Sequence, residues 1–293
     1  MPEQGGKDRP RTLLLATDLT PACDRAFDRA VQLARQWGAH LTVVHVVETG
    51  DREVIGVSRR TSSASSEMAR LLETVRAQDN LQISHHLSFG KAAEALLSLA
   101  REMKCDLLIT GLAHAKSLGE KFIGSTVEHL VREAQVPVLS VRRRAYQPYK
   151  SIAVFIDISE PSRHALDRAL ALFPDCRFTP VHAYNIGVVG MVGPDSTVAE
   201  YEEKQQVDIQ ALMQGAMNKL LAGSGGNHPV LQSHFGHGDP DAVMKSFVES
   251  EAPDLIVVGT HGRTGLRRAL IGSVAARILE TVPSDVMSIH PNA

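Results

Sequence analysis

The chain is written twice, and this duplication constrains its fold more than any other feature of its 293 residues. Asp106-Leu107-Leu108-Ile109-Thr110-Gly111 reads like Asp254-Leu255-Ile256-Val257-Val258-Gly259, and Phe122-Ile123-Gly124-Ser125 reads like Leu270-Ile271-Gly272-Ser273. Both matches stand at one constant offset of 148, as do Gly90 with Gly238 and His86 with His234. Upstream the halves correspond at a slightly smaller offset, Thr12–Asp18 with Ile152–Asp157 and Leu41–Val46 with Phe178–Ala183. Two periods of this length mean two domains; solenoid repeats run only roughly 20–50 residues. The boundary is placed near Tyr146–Lys150, which gives domains over 1–146 and 147–293.

Each half alternates strand and helix. Short apolar runs such as Leu13–Thr17, Leu107–Thr110 and Leu255–Val258 have the length of buried strands. Thr20-Pro21 reads as a helix N-cap with proline just inside the start. Ala26, Ala30, Leu33, Ala34 and Trp37 follow at helical spacing, and Gly38 ends that helix. The polar stretch Thr61–Ser66 reads as a lead-in to a helix over Glu67–Ala77, before a strand over Leu81–Leu87. In the second half a helix is expected over Val198–Leu221 and a strand over Val230–His234. Alternation of this kind implies parallel sheets with right-handed crossovers, hence two tandem doubly wound α/β domains. In such sheets ligands bind beyond the carboxyl ends of the strands.

Composition excludes several function classes. A formal net charge of -2 offers no basic footprint for nucleic acid. Arg142, Arg143 and Arg144 form one dense basic run, read as a solvated linker. Cys23, Cys105 and Cys176 are scattered, which fits neither a disulfide framework nor a cysteine zinc site and suits a reducing compartment. No apolar run approaches the ~18 residues of a membrane span, and the first residues lack an apolar signal core. A soluble, cytoplasmic protein is expected.

The segment that carries chemistry is Gly259-Thr260-His261-Gly262 … Gly272-Ser273-Val274, between a buried strand and a helix. Glycines there let backbone approach an anion. The first amides of a helix lack internal partners and sit at its positive end. Ser273 adds a hydroxyl. The spacing Gly-x2-Gly-x9-Gly-Ser is neither GxGxxG nor GxxxxGK[ST].

In this spacing and its duplication the chain resembles the universal stress protein family in its tandem form, over nearly its whole length. That resemblance implies an adenine nucleotide alpha hydrolase-like fold and ATP, with or without Mg²⁺, as ligand. Gly259, Gly262, Gly272, Ser273 and Val274 would meet the ribose and phosphates. Asp157 would bond adenine, and Ala183 would line its pocket. The first half offers Asp18, Val46, Gly111, Gly124 and Ser125 at matching places, but His114 replaces the middle glycine. A weakened or lost first site is expected. The resemblance also implies packing of the halves as an intramolecular pseudo-dimer through Val138–Val141 and Val286–Ile289, with a homodimer as a further level of assembly and an unidentified protein as partner.

Local chemistry offers plainer readings too. Asp157 in Asp-x-Ser could simply close a turn. His45 and His182, inside apolar strands, read as satisfied core residues. His228, His234, His237 and His261 lack a carboxylate or cysteine partner at standard zinc spacing. There is no GxSxG elbow and no HExxH. The leading reading is an ATP-dependent stress-response binding module; a slow ATP hydrolase and a nucleotide-free scaffold are the alternatives.

Overall fold

The computed structural model describes residues 9–48, 57–76, 81–112, 124–157, 159–184, 211, 214–215, 218, 233–260, 272–291 and 293. The first half runs β1 (Thr12–Thr17), a 3-10 turn (Pro21–Cys23), α1 (Asp24–Trp37), β2 (His40–Val47), α2 (Val57–Arg76), β3 (Ile83–Phe89), α3 (Ala92–Glu102), β4 (Leu107–Gly111), α4 (Ser125–Glu133) and β5 (Val138–Val141). The second half follows with β6 (Ser151–Phe155), α5 (Glu160–Leu172), β7 (Arg177–Tyr184), β8 (His234–His237), α6 (Pro240–Glu251), β9 (Leu255–Gly259), α7 (Ser273–Thr281) and β10 (Asp285–Ile289). The expected α/β class and strand order of elements hold. Among the described residues no helix is long and apolar enough to cross a membrane.

The ten strands among the described residues join one sheet, ordered β3-β2-β1-β4-β5-β10-β9-β6-β7-β8. Every pair within a half is parallel, and the halves meet where β5 and β10 run antiparallel, Met287 opposite Leu139. Alternation along a strand sends successive side chains to opposite faces. Leu13 and Leu15 enter a core shared with Ala30 and Leu33 of α1, Met68 and Leu72 of α2, and Leu166 of α5. Leu14 and Ala16 enter the opposite core, with Leu96 of α3, Leu130 of α4, Met244 of α6 and Leu279 of α7. Strands covered on both faces carry unbroken apolar runs for this reason.

The duplicated residues do the same work twice. Asp106, just ahead of β4, accepts the amides of Arg11 (2.7 Å) and Thr12 (2.9 Å); Asp254, ahead of β9, accepts those of Lys150 (2.9 Å) and Ser151 (3.0 Å). Each carboxylate fixes the entry of its central strand. Gly90 (φ 112°) and Gly238 (φ 125°) turn the chain after β3 and β8, donating to the carbonyls of Val47 and Tyr184. A side chain disfavours that region of φ, which explains the paired glycines.

Several sequence expectations shift. Thr20 caps a 3-10 turn rather than α1, and its side chain bonds Asp18 instead of a helix amide. The Thr61–Ser66 stretch lies inside α2, whose exposed serines flank a buried line of Ala64, Met68, Leu72 and Val75. The strand expected over Val230–His234 is found at His234–His237, residues 230–232 lying outside the described set. The helix expected over Val198–Leu221 also falls largely outside it.

The basic run is a correction rather than a shift. Arg142 and Arg143 are half-buried at the seam between the halves; only Arg144 is exposed. Their amides donate to Oδ1 of the fully buried Asp285 at 2.7 and 2.8 Å. The Arg142 guanidinium reaches back to the carbonyls of Leu279 and Glu280, the negative end of α7. Oδ2 of Asp285 accepts from the Tyr149 hydroxyl (2.6 Å) and pairs with Arg29 Nε (3.5 Å). Arg29 lies 4.0 Å from the Tyr149 ring centroid, and Tyr149 packs edge-on against Phe173, itself against Trp37. Burial and the neighbouring Asp285 push the Tyr149 phenol well above its ordinary range, so it stays a donor.

Two outcomes follow. Asp285→Ala strips two amides and a hydroxyl of their common acceptor and a buried guanidinium of its ion-pair partner, so urea unfolding should show a loss of about 3–5 kcal/mol; a loss within experimental error would refute the seam. Gly236 is packed so closely that a Cβ would lie 2.3 Å from Val243 Cγ1. Gly236→Ala should therefore cost about 1–3 kcal/mol. Val243→Ala in the same chain should recover part of that, and strict additivity in the double-mutant cycle would contradict the contact.

Candidate functional site

Both halves bring their described candidate residues to the carboxyl ends of the strands. In the first half an open cleft of about 840 Å³ lies there, and Asp18, Val46, Gly111, Gly124 and Ser125 all line it. That volume falls within the ~300–1,000 Å³ of small-molecule sites. Ala16, Val44 and Leu96 give it apolar walls; Cys23, His45, Glu48, Glu67 and Thr126 are lining residues that sequence reasoning did not select. Only the cysteine left a usable signal, one turn beyond the aspartate. Glu67 comes from α2, a helix the sequence pattern truncated at that very residue.

Local geometry aims Asp18. Leu19 takes a left-handed backbone (φ 62°), a conformation that costs a non-glycine residue roughly 1–2 kcal/mol, so the surrounding turn must hold it. The turn does so through Asp18 Oδ1, which accepts the Thr20 amide (2.9 Å) and hydroxyl (2.7 Å), while Leu19 N–H donates to Thr17 Oγ1 (3.0 Å). Burial acts to raise the Asp18 carboxyl, but hydrogen bonds from Cys23 and Thr20 outweigh it and hold the group below its ordinary value. At neutral pH Asp18 is an acceptor only. Burial, with Asp18 beside it, pushes the Cys23 thiol up to about 11, so it is protonated and not a nucleophile. The floor is tight: a Cβ on Gly111 would stand 3.3 Å from Cys23 Sγ.

The second half repeats the aspartate turn. Asp157 Oδ1 accepts the Ser159 amide (3.1 Å) and a short bond from its hydroxyl, and Ser159 begins a capping box with Ser162 ahead of α5. The turn chemistry read from Asp-x-Ser is therefore present. His182 and His45 occupy matching places, their Nδ1 atoms 2.6 Å from the Ile156 carbonyl and 2.9 Å from the Thr17 carbonyl. These contacts tie β7 and β2 to the turns that carry the two aspartates, as satisfied histidines rather than ligands.

Ala183 stands half-buried near the end of β7, and Gly259 ends β9 beside Ile289. Thr260, fully buried, donates to the Ile289 carbonyl (3.0 Å) and accepts the Gly272 amide (2.9 Å). One hydrogen bond thus closes the base of the glycine segment, whose residues 261–271, Gly262 among them, lie outside the described set, as does His114 in the first half. A Cβ on Gly272 would lie 3.3 Å from the Thr260 carbonyl oxygen. The first bond inside α7 runs from Ala276 N–H to the Gly272 carbonyl, so the amides of Ser273, Val274 and Ala275 precede it at the helix's positive end.

The chain matches the model of the universal stress protein family twice, over residues 10–142 and 148–290. It is 22% identical to a universal stress protein of Mycolicibacterium smegmatis, over 95% of this chain and 97% of that one. It is 33% identical over 141 residues to a universal stress protein of Thermus aquaticus, which matches 45% of this chain and 98% of that one. Among solved structures, a universal stress protein from Archaeoglobus fulgidus is similar at a TM-score of 0.67 with 15% identity, covering 95% of this chain and 96% of that chain. With two family matches that together span both sets of strands, the chain belongs to the universal stress protein family.

Proposed function

We propose that the chain is a nucleotide-responsive binding module acting in the cytoplasm, with ATP, with or without Mg²⁺, held by its second half. The observation that carries this reading is the base of the glycine segment: Gly259 and Gly272 are brought together through Thr260, at the mouth of a helix whose first amides precede its first internal bond. Backbone amides and dipole at such a place favour phosphate without a dedicated side chain. In this reading Gly259, Gly262, Gly272, Ser273 and Val274 serve the ribose and phosphates, Asp157 accepts from the adenine amino group, and Ala183 lines the base pocket.

In this reading binding shifts an equilibrium between two surfaces, by differential affinity for the two states. The seam between β5 and β10 joins the two halves in one sheet, and an unidentified protein partner would read the surface that nucleotide orders.

Isothermal titration of the nucleotide-free chain with ATP tests this. At about 100 times its dissociation constant ATP should add about 2.7 kcal/mol to stability. Gly272→Asp, which puts both a Cβ and a negative charge against the phosphate position, should weaken binding by about a hundredfold or more, the scale of a lost charge-assisted contact of about 3 kcal/mol. Undiminished ATP affinity in Gly272→Asp would place the nucleotide elsewhere.

A further inference from the structure

We infer that a second cavity, between α3 and α4, binds a small monocarboxylate with an apolar body. The inference does not rest on nucleotide binding, and the cavity lies away from both glycine segments.

Position is the first ground. The cavity measures about 480 Å³, within the ~300–1,000 Å³ of small-molecule sites. Along α3 it is lined by Glu94, Leu97, Ala100 and Arg101, and just past that helix by Lys104 and Cys105. α4 supplies His129 and Glu133, and Ala134, Gln135 and Val136 follow it. Lys104 and Cys105 precede β4 and Val136 precedes β5, so the cavity lies at the amino ends of these strands, the opposite end from Gly111. Glu94 and Arg101 are seven residues apart on one helix, roughly 10 Å at 1.5 Å per residue, which suits an extended ligand better than an isolated ion.

Charge balance is the second ground. Glu94 already pairs with Lys91 (3.2 Å) and Glu133 with Arg132 (3.0 Å), and both of these cations stand outside the lining. Arg101 Nε donates to the Leu97 carbonyl (3.1 Å), which steadies the guanidinium. Its Nη atoms and Lys104 Nζ meet no hydrogen-bond or ion-pair partner among the described residues. The carboxyl end of α3 favours cations on its own account. That leaves the guanidinium fork open, and the fork matches a carboxylate in two-point contact. The two exposed glutamates repel a polyanion more than a monoanion. Buried Leu97, Ala100, Cys105 and Ala134 line the remainder, so an apolar body gains there what a bare anion does not.

The second half shows that the fold does not require these cations. At the offset of 148, Arg101, Lys104 and His129 become Glu249, Ala252 and Arg277. There Arg277 of α7 pairs with Asp241 of α6 at 3.0 Å and bridges the two helices. Ala93 and His129 stand at those two places in the first half, which therefore lacks the bridge and carries uncompensated positive charge between its helices.

Isothermal titration of the full chain with sodium octanoate tests this, with 1-octanol as the uncharged control and inorganic phosphate as the bare anion. Octanoate should bind at least about tenfold more tightly than either, since it alone offers both a charge for Arg101 and Lys104 and a body for the apolar lining. Arg101→Gln with Lys104→Gln, both at exposed positions, should weaken octanoate about tenfold, the scale of a lost charge-assisted contact, and leave octanol within about twofold. Added salt should weaken octanoate and leave octanol alone. No heat from octanoate up to about 10 mM, weaker than a millimolar site, would overturn the inference. So would an octanoate affinity unchanged in the glutamine pair, or octanol or phosphate bound as tightly as octanoate. Gly272→Asp should leave octanoate binding as it is; a loss there would place the ligand in the second half and overturn the inference too, whereas the loss of ATP binding in that variant bears on the earlier proposal alone.

Discussion

The antiparallel pairing of β5 with β10 makes one sheet out of two α/β halves, and the buried carboxylate of Asp285 is the point on which that pairing closes. Three hydrogen-bond donors and one ion-pair partner, from three segments, converge on it: two amides at the end of β5, a tyrosine from the connection, and an arginine from α1. A carboxylate with no exposure would be ruinous without such partners, since burying an unpaired charge costs far more than a fold's margin of stability. The seam therefore tolerates Asp285 only in this arrangement. Because Arg142 also reaches the carboxyl end of α7, the helix whose other end opens toward the glycine segment is anchored to the opposite half.

Duplication divides the residues into two kinds. Asp106 with Asp254, Gly90 with Gly238, and His45 with His182 perform matched structural tasks, so their repetition reports geometry common to the fold. Asp285 has no such counterpart, because Pro137 stands at the equivalent place. Asymmetry at the seam is accompanied by asymmetry in the glycine segments, where His114 aligns with Gly262 in the sequence.

Much of the fold was legible in the sequence because central strands are buried on both faces. Leu107–Thr110, Val138–Val141 and Leu255–Val258 announce themselves as unbroken apolar runs, and the offset of 148 aligns their flanking loops. Edge strands do not: β3 and β8 alternate or expose their side chains, and their positions were displaced toward the nearest apolar residues. The serines of α2 hid a helix because their polarity belongs to its solvent face, while its buried residues lie three and four apart. Asp285 was missed because a charged residue at the head of a strand reads as the end of a loop. At the sites, the first-half residues chosen from the resemblance do share a cleft, but its acidic rim was invisible, since Glu48 and Glu67 are distant in sequence and meet only through packing of α2 beside β2.

The functional account comes down to backbone amides at the amino end of α7. Amide hydrogen exchange across Ser273–Ala275, followed with and without saturating ATP, probes them directly. These three amides should exchange at least about tenfold more slowly in the presence of ATP, the protection given by roughly 1.4 kcal/mol of added hydrogen bonding. Unchanged exchange at these positions, while calorimetry shows ATP bound to the chain, would contradict the account.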